Sequence, residues 1–332
     1  MGEISFACYS IFLLRLAHPA IACPMPFFVR RLFFVLRIIL GLLVVIIIPN
    51  SAPSQQNPST ANTPALLMHT VRTSPLDLEI AGDLLGAPAG ESRYLTREQL
   101  LALPQVTYTV EDDPNFTAPA QITGVLLNEL TSRLSSHPDS DLIVAICSDL
   151  YRGYYPREYL SAHQPILVLT INNLPPSGWP KDSTDHSTYK GPFLISHPNF
   201  VPSFHILSHA DIAQIPWGVV RLEFHDEKKT FDAIAPRGPH AESVTVQDGF
   251  HIAQQNCLRC HNQGKDGGMK AGRSWQILSS WAAASPDYFS AYLRNPKSKN
   301  PHSNMPGFPE YDDATVLALI SYFRTFTPSE KQ

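Results

Sequence analysis

The sequence predicts two folded bodies of different class behind an apolar leader: a strand-rich α+β body first, then a small all-α body. Three observations lead there. Short β-branched or alternating runs bounded by Gly, Pro or Asn crowd residues 76–224. From residue 243 onward the apolar residues recur instead at helical spacing. Between them "HDEKKTFDAIAPRGPHAE", residues 225–242, is charged and then broken by Pro and Gly, which reads as a linker. With 332 residues, 44% of them hydrophobic, the chain can bury two ordinary cores. A net charge of -4 and a charged fraction of 16%, without a basic stripe, exclude nucleic acid as a partner.

Residues 1–52 form the leader. Arg30, Arg31 and Arg37 precede an uninterrupted apolar run from Ile38 to Ile48. That run is shorter than the roughly 20 residues of a spanning helix and fits an export signal, with Met25 as the expected start. The other reading is an uncleaved anchor beginning nearer Leu32, with Arg37 snorkelling. Arg30-Arg31 before Leu32-Phe33-Phe34 also fits a twin-arginine signal, although so apolar a run suits the general secretion route. Either way the folded part is expected outside the cytoplasm, in a bacterial periplasm, with contact to the membrane only through the N-terminal segment. Residues 53–75, rich in Pro, Ser, Thr and Asn, read as a tether.

In the first body, residues 76–224, the strand candidates are "LDLEIAG", "VTYTV", "DLIVAICS", "PILVLTIN", "GPFLISH" and "WGVVRLEF". A capping box from Thr96 to Gln99 opens one helix, and Leu126 or Leu127, Leu130 and Leu134 mark another after Gly124. Cys147 ends an apolar run and reads as a small buried hydrophobe. His186, His197, His205 and His209 lie in a loop-rich stretch and read as surface or hydrogen-bonding histidines; only His205 and His209 have the i, i+4 spacing of metal ligands on a helix.

In the second body, residues 243–328, Val246, Phe250, Ala253 and Cys257 share one helix face. Ser285-Pro286 opens a helix carrying Tyr288, Phe289, Tyr292 and Leu293, and Asp312-Asp313 opens a last one carrying Val316, Leu319, Ile320 and Phe323 before Pro328. Immediately after the first helix stands Cys257-Leu258-Arg259-Cys260-His261. Zinc would require a second ligand pair, and none follows. A redox C-x-x-C sits at the start of a helix after a strand rather than at the end of one, and a surface C-x-x-C disulfide is the alternative reading. Covalent haem uses all three residues: two thiols one turn apart meet the two vinyl groups, and His261 is held against the iron. For the opposite axial position Met305, in the proline-stiffened "NPHSNMPGFPE", has a loop of 44 residues after His261 to cross the haem edge. Met269 lies only eight residues after His261, and His302 is a substitute ligand.

The stretches "GFHIAQQNCLRCHNQG", "AYLRNPKSKNPHSNMPGF" and "ATVLALISYFRTF" together resemble a class I cytochrome c, from its N-terminal to its C-terminal helix. The resemblance implies thioether bonds at Cys257 and Cys260 and axial ligation by His261 and Met305. It also implies a close crossing of Gly249 with Tyr322, with Trp275 and Arg273 at the haem edge or its propionates.

The order of "YLTREQLLALPQVTYTVEDD", "ITGVLLNELTSRL", "DLIVAICSDLYRGYYPREYL" and "YKGPFLISHP" is similar to the molybdopterin-binding domain of the sulfite oxidase family. That resemblance implies a molybdenum-binding cysteine after the strand 106–110, where this chain has Glu111-Asp112-Asp113. The basic residue of the "GP-lR" strand is replaced by Leu194 or a neighbour, and Asp-Gly-Tyr reads Asp149-Leu150-Tyr151. The expectation is therefore an exported monohaem electron carrier with redox-protein partners. The first body is expected to be a non-catalytic docking module, and no side chain acts as acid or base. The alternative is a haem-coupled molybdenum oxidoreductase acting on a small substrate. A haem-based sensor would need the Met305 bond to yield to a gas, and no residue points there.

Overall fold

Residues 66–180 and 191–327 are described by a computed structural model of the chain. The leader with Arg30, Arg31 and Arg37, residues 53–65 of the expected tether, His186 and Pro328 lie outside the described residues.

The strand-forming runs of the first body join in one mixed sheet. Its elements are β1 (Leu78–Gly82), β2 (Arg93–Leu95), α1 (Arg97–Leu101), β3 (Val106–Val110), β4 (Ala120–Leu126), α2 (Leu127–Arg133), β5 (Leu142–Cys147), β6 (Arg152–Pro156), α3 (Arg157–His163), β7 (Ile166–Ile171), β8 (Phe193–Ser196), β9 (His205–Ile206), β10 (His209–Ala210) and β11 (Trp217–His225). The nine-stranded order is β2-β1-β11-β8-β7-β4-β3, with β5 also on β11 and β6 on β5. Only β1 and β11 run parallel. β9 and β10 make a separate hairpin. All six runs read from the sequence are strands, and the Thr96–Gln99 capping box closes reciprocally, Gln99 N to Thr96 Oγ1 at 3.2 Å and Thr96 N to Gln99 Oε1 at 2.9 Å.

Strand β5 explains how the two bodies meet. Its run LIVAIC has no polar side, so both faces must be covered. Ile143, Ala145 and Cys147 face the core of the sheet body, whereas Leu142 and Val144, with Ile146 beside them, pack with Val246, Ile252, Leu258 and Trp275 of the helical body. Alternation along one strand thus builds two cores at once.

The expected linker, residues 225–242, is instead a packed wedge. Asp226 caps α4 (Glu227–Asp232) by accepting from Lys229 N at 2.9 Å. Phe231 and Ile234, one turn apart, are buried in the shared core beside Tyr154. Charge and Pro/Gly punctuation made this stretch look like a linker, but two apolar residues suffice to anchor it. The end of the expected tether is also docked: Leu66 N donates to Arg133 O at 3.1 Å, and His69 bridges Tyr94.

The second body contains α5 (Val244–Asn256), the two-residue strands β12 (Asn262–Gln263) and β13 (Asp266–Gly267), α6 (Trp275–Ala284), α7 (Pro286–Arg294), α8 (Pro296–Lys299) and α9 (Asp313–Arg324). Among the described residues no helix is long and apolar enough to cross a membrane. Asp312 is the N-cap of α9, accepting from Thr315 N at 2.8 Å, and Val316, Leu319, Ile320 and Phe323 are buried as the spacing predicts. Helices α5 and α9 cross at Gly249. A Cβ there would lie 2.1 Å from Ala318 O and 2.7 Å from Tyr322 Cβ. Tyr322 then ties the crossing to the wedge, its hydroxyl donating to Ile234 O at 2.6 Å and accepting from Trp275 Nε1 at 3.2 Å.

Gly249→Ala is expected to force the two helices apart and cost about 1–3 kcal/mol. Chemical denaturation followed by far-UV circular dichroism measures it, and a variant as stable as the parent would contradict the crossing.

Candidate functional site

Helix α5 delivers its last turn to a cavity of ≈ 250 Å³ bounded by α6, α7, α9 and the loop from Asn300 to Phe308. Cys257, Cys260, His261 and Met305 all line it. Its walls are apolar, with Leu278, Phe289, Leu293, Phe308, Leu319 and Phe323 among them. Asn300, His302, Asn304 and Lys270 stand at its polar margin. The spacing explains the convergence. The turn Cys257 to Cys260 continues the helical path, so the thiols project one turn apart; the prolines of the 300–309 segment bring Met305 back across the opening.

The donor set suits a haem. His261 is nearly buried, and its Nδ1 lies 2.6 Å from Arg273 O. A carbonyl only accepts, so Nδ1 carries the proton and Nε2 keeps its lone pair. Burial pulls the His261 pKa below its usual value, which favours this neutral form. Burial likewise pushes the Cys257 thiol up to about 12 and raises that of Cys260. Neither thiol is in a disulfide.

The other sequence-predicted residues separate cleanly. Met269 is 57% exposed and does not line the cavity. Arg273 does line it, stacked over Trp281 at 5.0 Å and bonded to Tyr292 Oη at 3.3 Å. Trp275, expected at the haem edge, is instead wholly buried against Tyr322 and Phe323, and Trp281, one and a half turns on, takes the place on the wall. The sequence reading missed α6 entirely; the apolar positions Trp275, Leu278, Trp281 and Ala282 were a signal for it.

The sheet body grips the Cys257–His261 turn through backbone. Arg152 N donates to Arg259 O at 2.9 Å, and Met269 N donates to Leu150 O at 3.0 Å. Only glycine fits where the chain doubles back: a Cβ on Gly268 would stand 1.8 Å from Arg259 O. The β9–β10 hairpin grips the other side. Ser208 N donates to Thr315 Oγ1 at 3.0 Å and its hydroxyl accepts from Asp312 N at 3.0 Å. Tyr311, stacked on Phe308, bonds His209 Nδ1 at 3.0 Å and accepts from Asn256 at 2.6 Å.

Of the three described histidines in this group, His197 and His209 are therefore interior. His209 pairs with Gln255 Oε1 at 2.5 Å, and Gln255 Nε2 donates to Asp211 Oδ1 at 2.5 Å. Asp211 also takes His163 at 2.8 Å. His197 Nε2 meets Tyr159 Oη at 2.7 Å. His205 and His209 lie on a hairpin rather than a helix, and His205 is exposed. Among the described residues no group of three or more His, Cys, Asp or Glu could hold a metal ion.

The residues present do not fit a molybdopterin thiolate site. Where the resemblance implies a cysteine, Asp113 accepts from Ser196 Oγ at 2.5 Å and Asn115 N at 2.8 Å, and Asp112 accepts from Phe200 N at 2.9 Å. These carboxylates tie loops together. Cys147 is buried, and burial holds its thiol well above the usual range, against thiolate formation.

Comparison with known proteins agrees for the second body. Residues 244–323 match the family described as cytochrome C oxidase, cbb3-type, subunit III. This part of the chain is a cytochrome c domain. Among solved structures the chain is similar to the sulfane dehydrogenase SoxCD from Paracoccus pantotrophus, at 17% identity and a TM-score of 0.29. That likeness covers 48% of this chain and 40% of that one, so it spans well under two thirds of the other protein's length. No curated protein matches.

His197 carries a pH prediction. Burial depresses its pKa to about 3, so between there and the unfolded value of roughly 6.5 the unfolded chain binds more protons. Stability should fall as pH drops through that window, by at most about 1.4 kcal/mol per pH unit for one group. Denaturation midpoints between pH 7 and pH 4 should decline less steeply in His197→Gln; parallel declines would refute the assignment.

Proposed function

We propose that the protein is an exported one-electron carrier whose haem is held by Cys257 and Cys260 through thioethers and by His261 and Met305 as axial ligands. One observation carries the reading: two cysteines, a histidine with its Nδ1 already engaged, and a methionine line the same apolar cavity. A cytochrome c domain implies haem c and electron transfer. When bound, the haem supplies one-electron exchange at its iron. The chain's own residues do the rest. Arg273 O fixes the ring of His261, the aromatic and leucine walls exclude water, and the polar margin with Lys270 and His302 leaves an edge for redox-protein partners.

The sheet body, in this reading, is a sulfite oxidase-type domain without its metal chemistry. The order of its motifs supports the kinship, and the structural use of Asp112 and Asp113 supports the loss. It acts as the seat of the haem-binding turn. Export to a periplasm rests on the leader, residues 1–52, either as a cleaved signal or as an anchor. A second reading, a haem-coupled molybdenum oxidoreductase, is favoured by one feature: Cys147 lines a cavity between the bodies.

Met305→Ala should lower the midpoint potential and open the iron to added imidazole, whereas His302→Ala should leave both near the parent values. Potentiometry with optical detection reads both variants. An unchanged potential in Met305→Ala would reject the axial assignment.

A further inference from the structure

A second cavity, ≈ 220 Å³, lies where the two bodies meet. The sheet body contributes Cys147, Asp149, Tyr151 and Trp217; the haem-binding segment contributes Arg259 and Lys270. Its size is below the roughly 300–1,000 Å³ of sites for drug-sized ligands, so any occupant is small.

The charges decide its class. Lys270 Nζ is paired with Asp149 Oδ2 at 2.6 Å. Arg259 is half-buried, and among the described residues its partners are all neutral: Gln255 O at 2.6 Å, Ile212 O at 3.4 Å and Tyr151 Oη at 3.4 Å. Two of these bonds are long, and a guanidinium has five N–H donors. Two cations against one carboxylate leave the cavity with one positive charge lacking a counter-charge. A guanidinium withdrawn from water is stabilised by an anion, and its fork matches the geometry of an oxyanion.

We propose that this cavity binds a small oxyanion through Arg259 and Lys270, and that its occupancy lowers the potential of the haem next door. The coupling follows from the chain: Arg259 is the residue before Cys260, and Lys270 lines both cavities. A negative charge there favours the oxidised iron. The binding claim stands without the electron-carrier reading, and the potential claim rests on it.

The test uses the full chain matured in a host that attaches haem, with sulfate as the probe in a neutral-ligand buffer at constant ionic strength set by chloride. Calorimetry should show sulfate binding at one site. Arg259→Gln should weaken it about tenfold or more, the value of a hydrogen-bonded charge, and Lys270→Gln several-fold. Lys270 is exposed, so that variant keeps the test open where Arg259→Gln does not fold. Saturating sulfate should lower the midpoint of the parent but not of Arg259→Gln. No binding to the parent, or binding that survives both substitutions, would overturn the site; binding without a shift in midpoint would overturn the coupling. A pyridine haemochrome assay run alongside separates these outcomes from a failure to attach haem.

Discussion

The amide of Arg152 and the carbonyl of Arg259 meet at 2.9 Å, and the crevice takes its position from that junction. It joins strand β6 of the sheet to the middle of the Cys257–His261 turn. A second bond, Met269 N to Leu150 O, fixes the segment leaving that turn, so the thiols are presented from a backbone clamped on both sides. Between them Gly268 packs so close to Arg259 that a Cβ there would stand 1.8 Å from its carbonyl oxygen. The sheet is thus part of the scaffold that positions the site, which is more than a docking appendage would need.

A polar seam runs alongside this clamp. It passes from His163 through Asp211, Gln255 and His209 to Tyr311, which sits at the end of the loop that carries Met305. Buried polar groups are costly unless each finds a partner, and here donors and acceptors alternate along the chain of contacts. One end of the seam lies in the sheet body and the other at the methionine loop. Ser208 reinforces it at the N-cap of α9. The loop opposite His261 is therefore held by residues more than a hundred positions away in sequence as well as by its own prolines.

Much of this was legible in the sequence, for physical reasons. The C-x-x-C-H run needs no tertiary context, because its spacing alone sets the geometry of the thiols. The Thr96–Gln99 box and the Asp312 cap were readable because capping is local. Gly249 was readable through the family likeness. What escaped was non-local. Strand β6, "RGYYP", carries its pairing information in β5, and α6 hides its apolar stripe among serines and alanines. The wedge at residues 225–242 looked like a linker because its charge outweighed Phe231 and Ile234 in composition, although burial is decided residue by residue. His197 and His209 read as surface or hydrogen-bonding loop residues; the structure buries His197 against Tyr159 of α3 and Phe200, and His209, on the β9–β10 hairpin, against Gln255 and Tyr311.

The central claim is that the sheet body positions a haem and carries no metal chemistry of its own. The direct measurement is the molybdenum to iron ratio of the full chain, expressed with its own leader in a host that matures c-type haem, by elemental mass spectrometry. Iron equimolar with the chain and molybdenum at background are the values this account requires. Stoichiometric molybdenum would contradict it and make the cavity at Cys147 a catalytic centre.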